Sequence, residues 1–365
     1  MRRATGISGL GIIVSIAAVL SGCGFGPTTI NRDRLDYETA LTVSWQRQML
    51  NNIVKLRYGD TPVFLEIGSV ISQYELESLV SVNGPAWSPA QNQVPIFGGS
   101  ARYADRPTIT YSPIMGDKFA KSLLTPIPPS TVMSLVQSGW PVSYVFPITV
   151  SAINGITNRS YTHFMGRRED PQFMPLLERL RRLQLSPAVS MRLTPQKGEG
   201  EPTESTLLLL GGRIMNEAVK EDLKSVFDTL GLNPSATQIN LVYGLLPAND
   251  KEIALQTRSV IEIFGELAGG IEVPEAHVAE QRVRSTRYGK GSPEGELEPL
   301  MRVHASVDRP ESPFISVKYR DHWFWVDDRD LTSKFMFTFL MLLTNLAEKG
   351  VVPASPLLTI PSGGR

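Results

Sequence analysis

From residue 33 to residue 57 the apolar positions recur at helical spacing. Leu41, Trp45, Met49, Ile53 and Leu56 stand four or three apart, and Val43, Leu50 and Val54 widen the stripe. The pattern predicts an amphipathic helix with one broad apolar face. Tyr58-Gly59-Asp60-Thr61-Pro62 ends it, because Gly and Pro punctuate the chain there. The period then changes to two. Val63, Leu65 and Ile67 alternate with their neighbours, and Tyr74 and Leu76 fall opposite Glu75 and Glu77, so residues 63–82 predict β-structure. Residues 83–103 are rich in Pro, Gly and Gln and predict a loop, longer than connections usually are.

The middle of the chain alternates between the two periods without repeating. Residues 108–111 predict a short strand, and 117–124 and 130–138 short helices. Residues 142–153 are rich in β-formers, with Pro147 pointing to an edge or bulge and Asn154-Gly155 to a turn. Residues 171–183 predict a helix carrying Met174, Leu177, Leu180 and Leu183. Strands at 188–193 and 206–210, a helix at 216–230, a strand at 238–243 and a helix at 258–267 follow, then a charged, Gly-rich loop at 282–298. The mixture predicts an α+β fold with mixed or antiparallel sheets, packed helices and a buried C-terminal helix. The weakest cut lies at 159–170. It would divide a region 34–165 from a region 166–365, or one continuous domain would span both.

The sharpest local pattern comes late. Two strand-like runs flank Arg320-Asp321. A two-residue turn there puts Ile315, Val317, Tyr319, His322, Phe324 and Val326 on one face and Ser316, Lys318, Trp323 and Trp325 on the other. A slip of one residue would exchange the faces of the second strand. Two readings stand: a central hairpin covered on both sides, or a binding platform in which Trp323 and Trp325 meet a sugar or another protein and Lys318 adds charge. Asp327-Asp328-Arg329-Asp330 follows. It lacks the Gly and the distal Glu of a calcium loop, so Asp330 is expected to cap a helix from Leu331. That helix includes residues 335–343, apolar almost all round, and predicts a rod packed on several sides.

The amino terminus carries an address. Met1-Arg2-Arg3 is a short basic stretch, and residues 7–20 are uncharged, fewer than the roughly 20 that a membrane-spanning helix needs. The segment ends in Leu20-Ser21-Gly22-Cys23, which resembles the lipobox of bacterial lipoproteins. The resemblance implies a signal peptide of residues 1–22, cleavage before Cys23, and acylation of that Cys by chains such as palmitate. A tether of residues 23–33 would follow. Gly24 lacks the Asp that holds lipoproteins of diderm bacteria at the inner membrane, which implies an outer-membrane anchor with the body in the periplasm. The body is similar to proteobacterial lipoproteins in general, a likeness that implies no particular activity. Without acylation, the same segment would yield a secreted protein or an uncleaved anchor.

Composition narrows the chemistry. The 365 residues hold 36 basic and 36 acidic side chains, a balance without the electrostatic footprint of nucleic-acid binding. Cys23 is the only cysteine, so no disulfide is possible within the chain and stability must come from packing. His163, His277, His304 and His322 include no i, i+4 pair, so no metal and no cofactor is expected. Neither a Gly-x-Ser-x-Gly elbow nor a phosphate-binding Gly-rich loop occurs. Glu66, Glu75, Glu77, Asp321 and Asp327 are available carboxylates with no pairing visible in sequence. Arg167, Arg168, Arg179, Arg181 and Arg182 form either a solvated face or a contact for lipid head groups or acidic glycan. The expectation is a lipid-anchored envelope protein with a non-catalytic scaffolding or assembly role. Its partners would be membrane lipid through Cys23 and envelope proteins or peptidoglycan. A glycan- or peptide-binding module using the Trp face is the alternative, and a hydrolase is a third reading.

Overall fold

The computed structural model describes residues 27–71, 74–83, 96–105, 108–161, 167–186, 189–195, 204–210, 217–236, 238–286 and 299–347. The expected signal peptide, Cys23, His163 and most of the expected loop at 282–298 lie outside the described residues. The fold is α+β, with mixed and antiparallel sheets. It divides into two units, each discontinuous in sequence. One joins the chain up to Gly59 to Leu267–Leu342, and the other joins Asp60–Glu266 to the chain from Leu343. The expected cut at 159–170 does not fall between them. A six-stranded sheet takes strands from both sides of that cut, because hydrogen-bonded ladders disregard distance along the chain.

The first unit begins with α1 (Pro27–Arg57). Residues 27–33, expected within a tether, are helical, and Pro27 is well suited to a first helical position, where no amide hydrogen is needed. Burial concentrates at the C-terminal end of α1, on Met49, Leu50, Ile53 and Val54, while Leu35 is exposed. The α1 helix packs on β12 (Pro313–Tyr319), part of a three-stranded antiparallel sheet in the order β11 (His304–Ser306), β13 (His322–Asp327), β12. Tyr319 opposes His322 and Lys318 opposes Trp323, which is the register expected from the two-residue turn. Arg320 and Asp321 reach it with φ of 45° and 67°, the left-handed geometry that a tight hairpin turn imposes even without Asn or Gly.

One face of this sheet is core: Ile315, Val317, Phe324 and Val326 are buried. The Trp face is only half-buried and Lys318 is exposed, so the hairpin is not covered on both sides as one reading expected. After β13, Asp330 caps α9 (Leu331–Ala347). Its Oδ1 accepts from the Ser333 amide at 3.1 Å, and its Oδ2 from the Ser333 hydroxyl at 2.6 Å. Burial alone would raise the Asp330 carboxyl, but these two bonds hold it below the ordinary range. Met336, Phe337, Phe339 and Leu340 are buried, whereas Leu331 and Phe335 are exposed. The apolar helix is therefore covered on one side and not all round.

The second unit is built on the sheet β6 (Ile156–Thr157), β5 (Val150–Ile153), β10 (Glu252–Thr257), β9 (Gln238–Tyr243), β8 (Glu204–Leu210), β7 (Val189–Pro195), in that order. Only β9 and β10 run parallel. β10 was not expected from the sequence. Its Ala-Leu-Gln centre has weak strand preference, and two flanking ladders hold it in place. The expected β-rich stretch at 142–153 is instead the helix α4 (Val142–Thr149) running directly into β5. Six of the eight α4 residues are buried, so the apolar run that suggested a strand is an interior helix. Asn154 and Gly155 turn β5 into β6 with positive φ, as expected. The Asn154 amide also donates to Leu230 O at 2.8 Å. On α5 (Phe173–Gln184) the buried stripe is Phe173, Leu176, Leu177 and Leu183, displaced from the expected one, and Met174 is exposed. Arg182 on α5 makes a two-pronged bond to Asp222 on α6 (Glu217–Leu230), at 2.7 and 2.6 Å.

The same unit holds a long two-stranded ribbon. β1 (Leu65–Ile71) pairs with β4 (Thr108–Pro113), and β2 (Tyr74–Asn83) with β3 (Ile96–Asp105), both antiparallel. Ile71 opposes Thr108 and Tyr74 opposes Asp105, so one register runs through both pairs. The expected loop at 83–103 is corrected in its second half. Gly98-Gly99 lowers strand preference there, but a ten-residue ladder to β2 overrides it. The base of the ribbon is fixed by Phe64, buried against Phe264 at 5.6 Å between ring centres, and by an ion pair from Lys118 to Glu66.

Candidate functional site

The residues singled out in sequence, Trp323, Trp325 and Lys318, do share a face. Alternation along β12 and β13 adds Ser316, and pairing with β11 adds His304 opposite Trp325 and Ser306 opposite Trp323. The two indoles are not free platforms. The Arg309 guanidinium lies over the Trp323 ring, 5.4 Å from its centre, and the His304 ring lies 4.8 Å from that of Trp325. Each indole thus has one π-face already met by a cationic or ionisable side chain. The Trp325 Nε1–H is buried and has no hydrogen-bond partner among the described residues. A buried donor of this kind is a place for a water or a ligand acceptor.

Electrostatics tie β11 to this face. His304 Nδ1 sits 3.1 Å from both carboxylate oxygens of Glu272. The bond to Glu272 raises His304 above the ordinary imidazole value, against the effect of burial. Burial would also raise Glu272, but the hydrogen bond and charge of His304 outweigh it and hold the carboxyl low. The pair therefore stabilises the fold most between the ordinary carboxylate and imidazole ranges. Its contribution is lost as pH rises through the raised His304 value, and also as pH falls through the lowered Glu272 value. Glu272 is about half exposed, so the pair is worth less than about 1 kcal/mol. An NMR titration should give His304 a midpoint above ~6.5, and Glu272→Gln should return it to the ordinary range or below. An unchanged midpoint would show that the pair does not form in solution.

The opposite, buried face carries a second cluster that sequence reading missed. The Tyr58 hydroxyl lies 2.8 Å from His277 Nδ1, and the His277 ring meets that of His322 edge-on at 4.7 Å. Arg320 stands over Tyr58 and Tyr319, at 5.1 and 5.6 Å. Burial pushes the Tyr58 phenol up to about 12, so it stays protonated and donates to His277. Burial first, then the proximity of His322, pushes His277 down, so it stays neutral. Both groups move away from neutrality, which suits a structural bond and not proton transfer at pH 7. Helical spacing cannot reveal such a pair: Tyr58 and His277 meet only because the unit is discontinuous in sequence.

Among the described residues no group of three or more His, Cys, Asp or Glu side chains could hold a metal ion. No described helix is long and apolar enough to cross a membrane. The basic residues of α5 find local uses: Arg181 bonds Gln184, and Arg182 bonds Asp222. The remaining surface of functional interest is the ribbon. Among the described residues neither of its strand pairs joins a further strand. The alternation of Val63, Leu65 and Ile67, that of Tyr74 and Leu76, and the short strand at 108–111 were its signals in sequence. Comparison of the chain with protein-family models, with curated proteins and with solved structures finds no match to any of them.

Proposed function

We propose that this is an envelope protein, anchored to the outer membrane through acylated Cys23 with its body in the periplasm, whose role is assembly and not catalysis. The observation that carries the assembly role is the ribbon. Among the described residues neither strand pair joins a further strand; an isolated pair is marginal in water, and strand edges are templates for pairing with another chain. The anchor is supported by the order and spacing of the basic stretch, the apolar run and Leu20-Ser21-Gly22-Cys23. Several acyl chains, at about 0.8 kcal/mol for each buried CH₂, give durable attachment.

Fractionation of cells carrying Cys23→Ser tests the anchor. The variant should leave the membrane fraction and lose the mass of its lipid, whereas unchanged mass and fractionation would overturn the reading. Purification in mild detergent tests the assembly role, which requires the wild-type chain to emerge in a larger complex and not as a lone chain.

A second reading keeps the Trp face as a glycan- or peptide-binding module, favoured by the unpartnered Trp325 Nε1–H. It requires Trp325→Ala to abolish retention on peptidoglycan while leaving the circular dichroism spectrum unchanged. Retention by the variant would remove it.

A further inference from the structure

The β2–β3 half of the ribbon has a composition unlike the rest of the chain. No acidic or basic residue lies between Glu77 and Arg102. Positions alternate in character across the ladder. Leu76 opposes Tyr103, Ser78 opposes Ala101, Val80 opposes Gly99 and Val82 opposes Phe97, and all of these positions fall on one face. The other face holds the positions of Glu75, Glu77, Leu79, Ser81 and Asn83, opposite Ala104, Arg102, Ser100, Gly98 and Ile96 in that order. One face is therefore apolar or small apart from Asp105, opposite Tyr74 at the base, and the other mixes polar and apolar positions and carries its charges only near the base of the ribbon. Aromatic positions mark both ends of the apolar face: Tyr74 and Tyr103 at the base, Phe97 near the tip.

The length has a physical match. Each strand is ten residues long, and a tilted strand of about 9–11 residues crosses the hydrocarbon of a bilayer. Strands with period-two alternation and an outward face free of charge between aromatic positions are the signature of a membrane β-barrel, and the β2–β3 face meets it from Leu76 to Val82 and from Phe97 to Tyr103. A lone ribbon cannot enter lipid, since the backbone groups along its edges would be left without partners at several kcal/mol each. More strands are needed, and other copies of this chain can supply them. Closure into a barrel of roughly eight strands, the smallest seen, would take about four copies.

We infer that the β2–β3 ribbons of several copies pair edge to edge into a closed β-barrel that crosses a lipid bilayer, apolar face outward. The inference deepens the assembly role proposed above and rests on it for bringing the chain to a membrane. The positions of Glu75, Glu77 and Arg102 then line the lumen, and Asp105, at the end of the outward face, lies at the level of the head groups, where charge is tolerated.

The test uses the full chain with Cys23→Ser, so that an introduced thiol is the only one. Single Cys replacements at Leu79, Val80, Ser81 and Val82 are labelled with a polarity-sensitive dye. The protein is then reconstituted by detergent removal into phosphatidylethanolamine–phosphatidylglycerol vesicles. Labels at 80 and 82 should be quenched several-fold more by a lipid-borne quencher than by aqueous iodide, and labels at 79 and 81 the reverse. Val80→Asp should abolish insertion and Ser81→Asp should not. Uniform iodide quenching along 79–82 overturns the inference, as does crosslinking of copies in solution without the alternating pattern in vesicles. Detergent removal replaces the lipid anchor in this experiment. Failure of the anchor would show in the fractionation of Cys23→Ser, and failure of the barrel in the quenching pattern.

Discussion

Arg258→Ala is expected to destabilise the second unit by about 3–5 kcal/mol, enough to unfold a domain of ordinary stability. The Arg258 side chain is 3% exposed and that of Glu266 1%, and their charges stand 3.8 Å apart. The guanidinium also closes the C-terminal end of α4, where Pro147 and Ile148 leave carbonyls without helical partners. Arg258 Nη1 donates to both, at 2.8 and 3.0 Å, and Nη2 donates to Arg159 O at 2.5 Å. Asn158 supports the same corner by bonding Pro147 O and Val150 O. Removal of Arg258 leaves Glu266 as a buried charge without its cation, still accepting from the Ser160 hydroxyl and the Tyr161 amide. Burial disfavours the charged form of Arg258, and Glu266 with Glu262 opposes that effect. The charge is thus kept by its partners. Urea unfolding measures the loss. Arg258→Met with Glu266→Leu should recover part of it, because no unpaired charge remains. A single variant costing under 1 kcal/mol would show that water reaches the corner.

Phe324→Ala carries the second large effect, about 3–5 kcal/mol on the first unit. Phe324 is fully buried on the central strand β13, and its ring meets Tyr58 edge-on with centres 6.0 Å apart at 81°. Truncation opens a cavity beside the Tyr58–His277 bond. His277 is held neutral chiefly by burial, so its contribution to stability is full above the ordinary imidazole value and is lost as pH falls below it. Water admitted to the cavity should move the His277 midpoint upward in an NMR titration, and Phe324→Leu should show a smaller change in both measurements. Loss of stability without movement of His277 would mean that the cavity collapses away from the pair.

Particular residues show what the sequence made legible. The Arg320-Asp321 turn was legible from the alternation on both sides of it, but its register was not, because Trp323 and Trp325 could fill a core as well as Phe324 and Val326 and a one-residue slip would exchange them. Asp330 was legible because a cap needs only a carboxylate at the start of an apolar helical run. β3 was hidden: Gly98-Gly99 reads as a breaker, and only the facing strand β2 turns those positions into a ladder. The α4 helix was hidden for the opposite reason, since a short run buried at six of its eight positions shows no clear period to betray it. Of the Trp face, the three chosen residues were legible. Arg309, His304 and Glu272 were not, because they arrive from other segments and nothing in their spacing marks them.

The discontinuity of the first unit bears on the order in which the protein can mature. α1 is synthesised early, yet the strands it packs against belong to Leu267–Leu342 and follow only after Asp60–Glu266. Until then Leu50, Ile53 and Val54 have no cover from those strands, and closing so long a span is slow. A nascent chain lacks that cover throughout the interval, and a truncation before β12 would strand its amino-terminal helix permanently.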